Sequence, residues 1–259
     1  FLALPYAPTG SKITPNLLGY CKGKGNQEYN VICFPDHSRI AEDTHPGPCS
    51  MGIDTSPNHI DVRISCNEQG KRKLVYAGKF DTQGRPAESI VAMLADIGDR
   101  YNVKCAVIDI GPEKLMALEL QSSASFPVWM CKFLGRGEDR VLKYNKSDMI
   151  ISVDRTEAMD RAYSQLKTAK NVVAADYGQI LQGVYVSEMT SLVWGCAEDK
   201  SGKPRYSWTR GNDHAFLADV YDVMACDIIP DDVLNGNFRH YVDTTPTHIS
   251  LHFMSGRPR

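Results

Sequence analysis

The chain has 259 residues, 42% of them hydrophobic and 23% charged, with a formal net charge of −2. That length supports one large domain or two small ones around a real core. Near-neutral charge argues against a protein that grips nucleic acid over its whole surface, so any such contact is local, and no apolar run reaches the roughly 18 residues of a membrane helix.

In chain order, residues 1–48 are rich in Pro, Gly, Asn and Ser, with one short strand candidate in "EYNVICF". The chain opens at Phe1 without Met, as expected of a piece of a longer polypeptide, and residues 1–48 read as a linker or arm from a preceding domain. "GYCKGKG" lacks the Gly-Lys-Ser/Thr that closes a phosphate loop. "THPGPC" marks a boundary. "SMGIDTS", "IDVRISC" and "KLVYAGKF" follow as three strands, with Ile60, Val62 and Ile64 on one face and "EQGKR" as a turn. "RPAESIVAMLADIGDRYN" is a helix opened by Pro86, with Ile90, Val91, Leu94 and Ile97 at helical spacing. "KCAVIDIG" is a strand ending in Asp109, "PEKLMALELQ" a helix with Pro112 in its first turn, and "FPVWMCKF" a strand.

Further on, "GRGEDRVLKYNKSDMIISVDR" reads as a loop with two short strands. "RTEAMDRAYSQLKTA" is a helix striped by Ala158, Ala162, Leu166 and Ala169. "TSLVWGCAEDKSGKPRYSWTR" is a hairpin turning at Asp199 to Lys203, with Trp208 and Tyr206 as core or sheet-face residues. "NDHAFLADVYDVMACDI" is the last helix, with Asn212 as its cap, and residues 230–259 form a tail. Three adjacent strands followed by βαβ units predict an α/β fold with a mixed sheet. Eight cysteines without a Cys-x-x-Cys pair read as buried free thiols, not a zinc ribbon.

Asp54 sits inside an apolar strand and Asp109 ends another. Side chains at adjacent strand ends come within about 5 Å of each other. Two buried carboxylates at that distance repel, and a divalent cation offsets the cost; oxygen ligands suit Mg²⁺ and Mn²⁺. Asp213 and His214 offer further ligands at the first turn of the last helix, with Asp213 on the face of Leu217 and Val220. Asp219 and Asp222 fall on other faces and are expected in solvent. Each residue has an ordinary alternative: a turn hydrogen bond for Asp54, a cap for Asp109, a helix-start carboxylate for Asp213 and for Glu113, a satisfied histidine for His214.

Three places resemble the nuclease domain of tailed-phage terminase large subunits: "MGIDTS", "AVIDIG", and "RTEAMDRAYSQLKTA" followed by "WTRGNDHAFLADVYDVMA". The resemblance implies a ribonuclease H-like mixed central sheet flanked by helices, over 49–229. It implies a metal-dependent endonuclease that cuts double-stranded DNA with little sequence specificity by two-metal phosphodiester hydrolysis. Asp54, Asp109 and Asp213 would be catalytic and, with His214, would hold two Mg²⁺ or Mn²⁺ ions. Many relatives carry an Asp three residues after the His; here that place is Leu217. Partners by resemblance are double-stranded DNA, an ATPase domain missing from this chain, a small terminase subunit and a portal protein, with no membrane, in the cytoplasm of an infected bacterial host. Lys132, Arg136, Arg140, Lys143, Lys146 and Arg210 are candidate phosphate contacts; a solvated charged loop is their ordinary reading. The rivals are a resolvase- or transposase-type nuclease of the same fold, an actin- or sugar-kinase-like nucleotide-binding module, and an interaction domain that lost its chemistry.

Overall fold

A computed structural model describes residues 12–22, 32–34, 47–111, 113–134, 142–173, 177–198, 202, 204–209, 211–230 and 233. The first half runs α1 (Pro15–Tyr20), β1 (Ile32–Phe34), β2 (Cys49–Thr55), β3 (His59–Glu68), β4 (Lys71–Asp81), α2 (Ala87–Arg100), β5 (Val103–Asp109), α3 (Lys114–Ser123) and β6 (Val128–Phe133). The second half runs β7 (Lys143–Asn145), β8 (Ile150–Val153), α4 (Arg155–Lys167), β9 (Asn171–Val172), α5 (Val184–Thr190), β10 (Trp194–Glu198), β11 (Pro204–Trp208) and α6 (His214–Ile228).

The main sheet has the order β1-β4-β3-β2-β5-β6-β8-β7, with β9 also on β4. β3 is antiparallel to both β2 and β4, whereas β5 and β6 run parallel to β2. A hairpin-built half joined to a parallel half in this order is the ribonuclease H-like arrangement. Gln69 (φ 54°) and Gly70 (φ 73°) make the two-residue turn between β3 and β4, the left-handed pair that tight hairpins favour.

Strand alternation sorts the sheet into two faces. Met51, Ile53, Ile60, Val62, Ile64, Ala106 and Ile108 meet Ile90, Leu94 and Ile97 of α2 and Leu120 of α3 in one core. Cys105, Val107 and Cys131 meet α4, α5 and α6 in the other. Each fully buried aliphatic side chain there contributes about 1.5–3 kcal/mol. On β2 and β3 the α6-facing positions are not apolar. They are Ser50, Gly52 and Asp54, paired in register with Ser65, Arg63 and Asp61.

Several expectations need correction. Asp219 and Asp222 are 0% exposed rather than solvated. α6 is packed by the sheet on one side and by α4 and α5 on others, so positions off its apolar stripe are still enclosed. There Asp219 and Asp222 meet Arg63 and Arg72: Arg63 Nε lies 2.9 Å from Asp219, Arg72 Nη2 2.8 Å from Asp219, and Arg72 Nη1 bonds Asp222. Ser50, Ser65 and Asn171 complete the carboxylates' hydrogen bonds. The cap residue of α6 is Asp213, not Asn212. Ala169 lies past the end of α4 at φ 50°. α3 begins at Lys114, with Glu113 as its cap residue; Pro112 lies outside the described residues.

The arm expected over residues 1–48 is built into the fold where it is described. Ile13, Leu18 and Cys21 are buried in the α6-side core, and β1 pairs with β4. Lys12 places its ammonium 3.4 Å from the ring centre of Trp194, beside Trp208 and Tyr163. Trp208 is core (4% exposed) and Tyr206 is on the surface (58%). Cys21, Cys49, Cys66, Cys105 and Cys131 are buried free thiols, while Cys196 is exposed. No described helix is long and apolar enough to cross a membrane. The expected tail lies outside the described residues apart from 230 and 233.

Candidate active site

The site forms where the ends of β2 and β3 meet the start of α6. Between them, Ser56 closes a tight turn: its amide and its hydroxyl both donate to the His59 carbonyl, at 3.0 and 2.9 Å. That turn sets Thr55 opposite Ile60 and therefore Asp54 opposite Asp61. Like charges directly across a ladder repel. α6 then lies along the polar stripe of β2. Ser50 bonds Asp222, Gly52 underlies Ala218 and Asp222, and Asp54 Oδ2 lies 2.7 Å from His214 Nδ1. Residues two apart on the strand match residues four apart on the helix.

Asp54 is 2% exposed. Burial pushes its pKa up to about 6, against the pull of His214 and with help from the charges of Asp109 and Asp213. The His214 imidazole is in turn held above its ordinary range by Asp54. Asp61 is pushed up to about 7 by burial and the nearby Glu188, despite Lys79 Nζ at 3.0 and 3.2 Å from its oxygens. Lys79 also bonds Glu188 at 2.9 Å, and Glu188 accepts the Ala215 amide at 3.0 Å, tying α5 to the first turn of α6. His59 Nε2 sits 3.3 Å from Asp61 Oδ2 but out of line for a hydrogen bond. Burial, then Lys79 and His214, lower the His59 pKa to about 4.

Asp109 ends β5, next to β2. Burial raises its pKa, against the pull of the Gly111 backbone and the Tyr221 hydroxyl. The Thr55 hydroxyl is buried without a hydrogen-bond partner. A Cβ on Gly111 would stand 2.5 Å from Asp109 Oδ2 and 3.5 Å from Thr55 Oγ1, so these oxygens crowd one spot. Asp213 is buried and raised by that burial, and its Oδ2 lies 2.6 Å from Arg155 Nη2 at the start of α4. Among the described residues, the potential ligand atoms within 4.8 Å of one another belong to His59, Asp61 and His214, not to the three aspartates. Asp54 joins that set through His214.

Sequence reasoning missed Asp61, His59, Lys79 and Glu188. Lys132 lies within β6, one residue past Cys131, the partner of Asp109, toward the same end of the sheet. Lys132, Lys143 and Lys146 are exposed; Arg136, Arg140 and Arg210 lie outside the described residues. A cleft of about 440 Å³ opens beside His59 and Lys79, lined also by Asn58, Gln83 and Gln182.

Asp54 and Asp61 keep their protons to higher pH folded than unfolded, so their contribution to stability falls as pH rises from about 4 to 7. His214, also raised, acts in the same direction. His59, lowered, opposes them only up to its unfolded value of 6.5. In chelator, urea unfolding will therefore show a net loss of order 2 kcal/mol between about pH 5 and about pH 8. A gain over that interval would contradict the burial of these carboxyls.

No family model and no curated protein matches the chain. Solved structures do. The large terminase nuclease from thermophilic phage G20c is 14% identical with a TM-score of 0.48, covering 75% of this chain and 93% of that one. The large terminase from a second thermophilic bacteriophage is 13% identical with a TM-score of 0.45, covering 80% and 44%. The large terminase nuclease domain from bacteriophage SPP1 with bound Mn is 12% identical with a TM-score of 0.41, covering 68% and 85%. This chain thus spans less than half the length of the second of these proteins. All three are structures of the family its motifs resemble. The fold assignment rests on the strand order of this chain.

Proposed function

We propose that this chain is the endonuclease domain of a viral DNA-packaging terminase, hydrolysing phosphodiesters of double-stranded DNA with little sequence preference. The observation that carries the reading is the convergence on Asp54. Its buried carboxyl meets His214 at 2.7 Å, faces Asp61 across the ladder, and feels the charges of Asp109 and Asp213. Such a concentration of acidic oxygens, with the Thr55 hydroxyl unpaired beside it, fits divalent cations. Asp54, Asp109, Asp213 and His214 would hold two Mg²⁺ or Mn²⁺ ions. When bound, such ions supply a nucleophile at neutral pH and stabilise charge on the transferring phosphoryl group.

The chain's own groups do the rest. His214 fixes the Asp54 carboxyl, and Arg155 holds the Asp213 carboxyl. The cleft beside His59 and Lys79 opens next to the Asp61 side of the site. Lys132, Lys143 and Lys146, with Arg136, Arg140 and Arg210, supply sequence-independent phosphate contacts. An ATPase domain, small subunit and portal in the host cytoplasm would keep DNA near the site, so a weak grip suffices. Asp54→Asn and Asp109→Asn will each lose at least about a hundredfold in metal-dependent plasmid cleavage, with the circular-dichroism spectrum unchanged. Cutting close to that of the unmodified protein by either variant sinks the reading.

A further inference from the structure

We propose that His59, Asp61 and His214 form a nitrogen-rich position that takes a transition-metal dication (Mn²⁺, Co²⁺ or Zn²⁺) in preference to Mg²⁺. The proposal rests on the nuclease reading only for its setting: with Nδ1 on Asp54, His214 has one nitrogen to give, and here it serves this position while Asp54, Asp109 and Asp213 remain to the other ions. One ligand atom from each of the three residues lies within 4.8 Å of the others.

The hydrogen bonds bear on which atoms are free. The Ser56 hydroxyl lies 2.9 Å from the His59 carbonyl and 3.0 Å from His59 Nδ1. In the tautomer whose Nδ1–H donates to Ser56 Oγ, Nε2 keeps a bare lone pair. That Nε2 is buried, has no hydrogen-bond partner, and faces Asp61 Oδ2 at 3.3 Å. Lys79 Nζ donates to that Oδ2 at 3.0 Å, so a dication would take the ammonium's place on this oxygen and join it to Nε2. His214 repeats the logic. Its Nδ1 pairs with Asp54 Oδ2 at 2.7 Å, which leaves Nε2 as the ligand atom. Metal-binding histidines are held in this way, one nitrogen on an oxygen and the other on the ion.

Two imidazoles and one carboxylate suit Mn²⁺, Co²⁺ and Zn²⁺; Mg²⁺ keeps to oxygen. Lys79 is the opposing charge. It retains Glu188 at 2.9 Å and Asp61 Oδ1 at 3.2 Å, so Asp61 Oδ2 can turn to the ion without stranding the ammonium.

Co²⁺ titrated into the metal-free chain, followed by its visible spectrum, tests the idea. Binding will persist in a roughly hundredfold excess of Mg²⁺, and bound Mn²⁺ will show nitrogen couplings in its paramagnetic resonance. His59→Gln and Asp61→Asn will each weaken Co²⁺ at least about tenfold, and His59→Gln will remove one nitrogen coupling. His59 is 23% exposed at the first residue of its strand, so glutamine fits there. Full Co²⁺ affinity and an unchanged spectrum in His59→Gln, or displacement by equimolar Mg²⁺, would overturn the proposal. The nuclease reading would still stand or fall on the cleavage assays of Asp54→Asn and Asp109→Asn.

Discussion

Gly52→Ala will destabilise the fold by about 3 kcal/mol, the upper end of overpacking costs. A Cβ at Gly52 would stand 2.1 Å from the Ala218 carbonyl oxygen and 2.3 Å from the Asp222 amide nitrogen. Both neighbours are backbone of α6, and neither can swing aside as a side-chain tip can. β2 is a central strand, bonded to β3 and β5, so it cannot retreat. The relief available is for α6 to lift from the sheet, which carries His214 away from Asp54. Urea unfolding will show a lower midpoint, and metal binding will weaken with it. An unchanged midpoint would mean that the helix does not lie this close.

Arg72→Met will cost about 3–5 kcal/mol, because it leaves a buried charge uncompensated. Two arginines and two aspartates balance beneath α6, and Asp219 and Asp222 are fully enclosed. Arg63 alone cannot neutralise both. The pKa of Asp222 is already raised by burial, against the arginines and the Ser50 and Ser65 hydroxyls. Adding Asp219→Asn to Arg72→Met restores the charge balance and will recover part of the loss, read from urea midpoints of the single and double variants. A double variant less stable than Arg72→Met would show that hydrogen bonding, not charge balance, holds the group together.

Apolar periodicity made β2 to β6 and helices α2, α4 and α6 legible in the sequence, because each presents a continuous stripe to one of two cores. The polar faces were not legible. Arg63 and Ser65 alternate with Val62 and Ile64, and alternation alone assigns them to solvent. Only the tertiary position of α6 covers them. The same reason hid Asp219 and Asp222, which lie off the helix's apolar stripe yet meet the strands' polar stripe. Asp61 could have been found by counting, since a turn between Thr55 and Ile60 sets it across from Asp54. Arg155 and Asp213 are 58 residues apart and left no local signal. α5 has seven residues and β9 two, too short for periodicity to rise above chance.

The facing pair Asp54 and Asp61 has a mechanical corollary. Whatever cation settles beside them also acts as a rivet through the hairpin tip, because it converts mutual repulsion into shared attraction. Loading the pocket and stiffening its walls are then a single event, and amide exchange at Thr55 to Ile60 will slow as the ion enters.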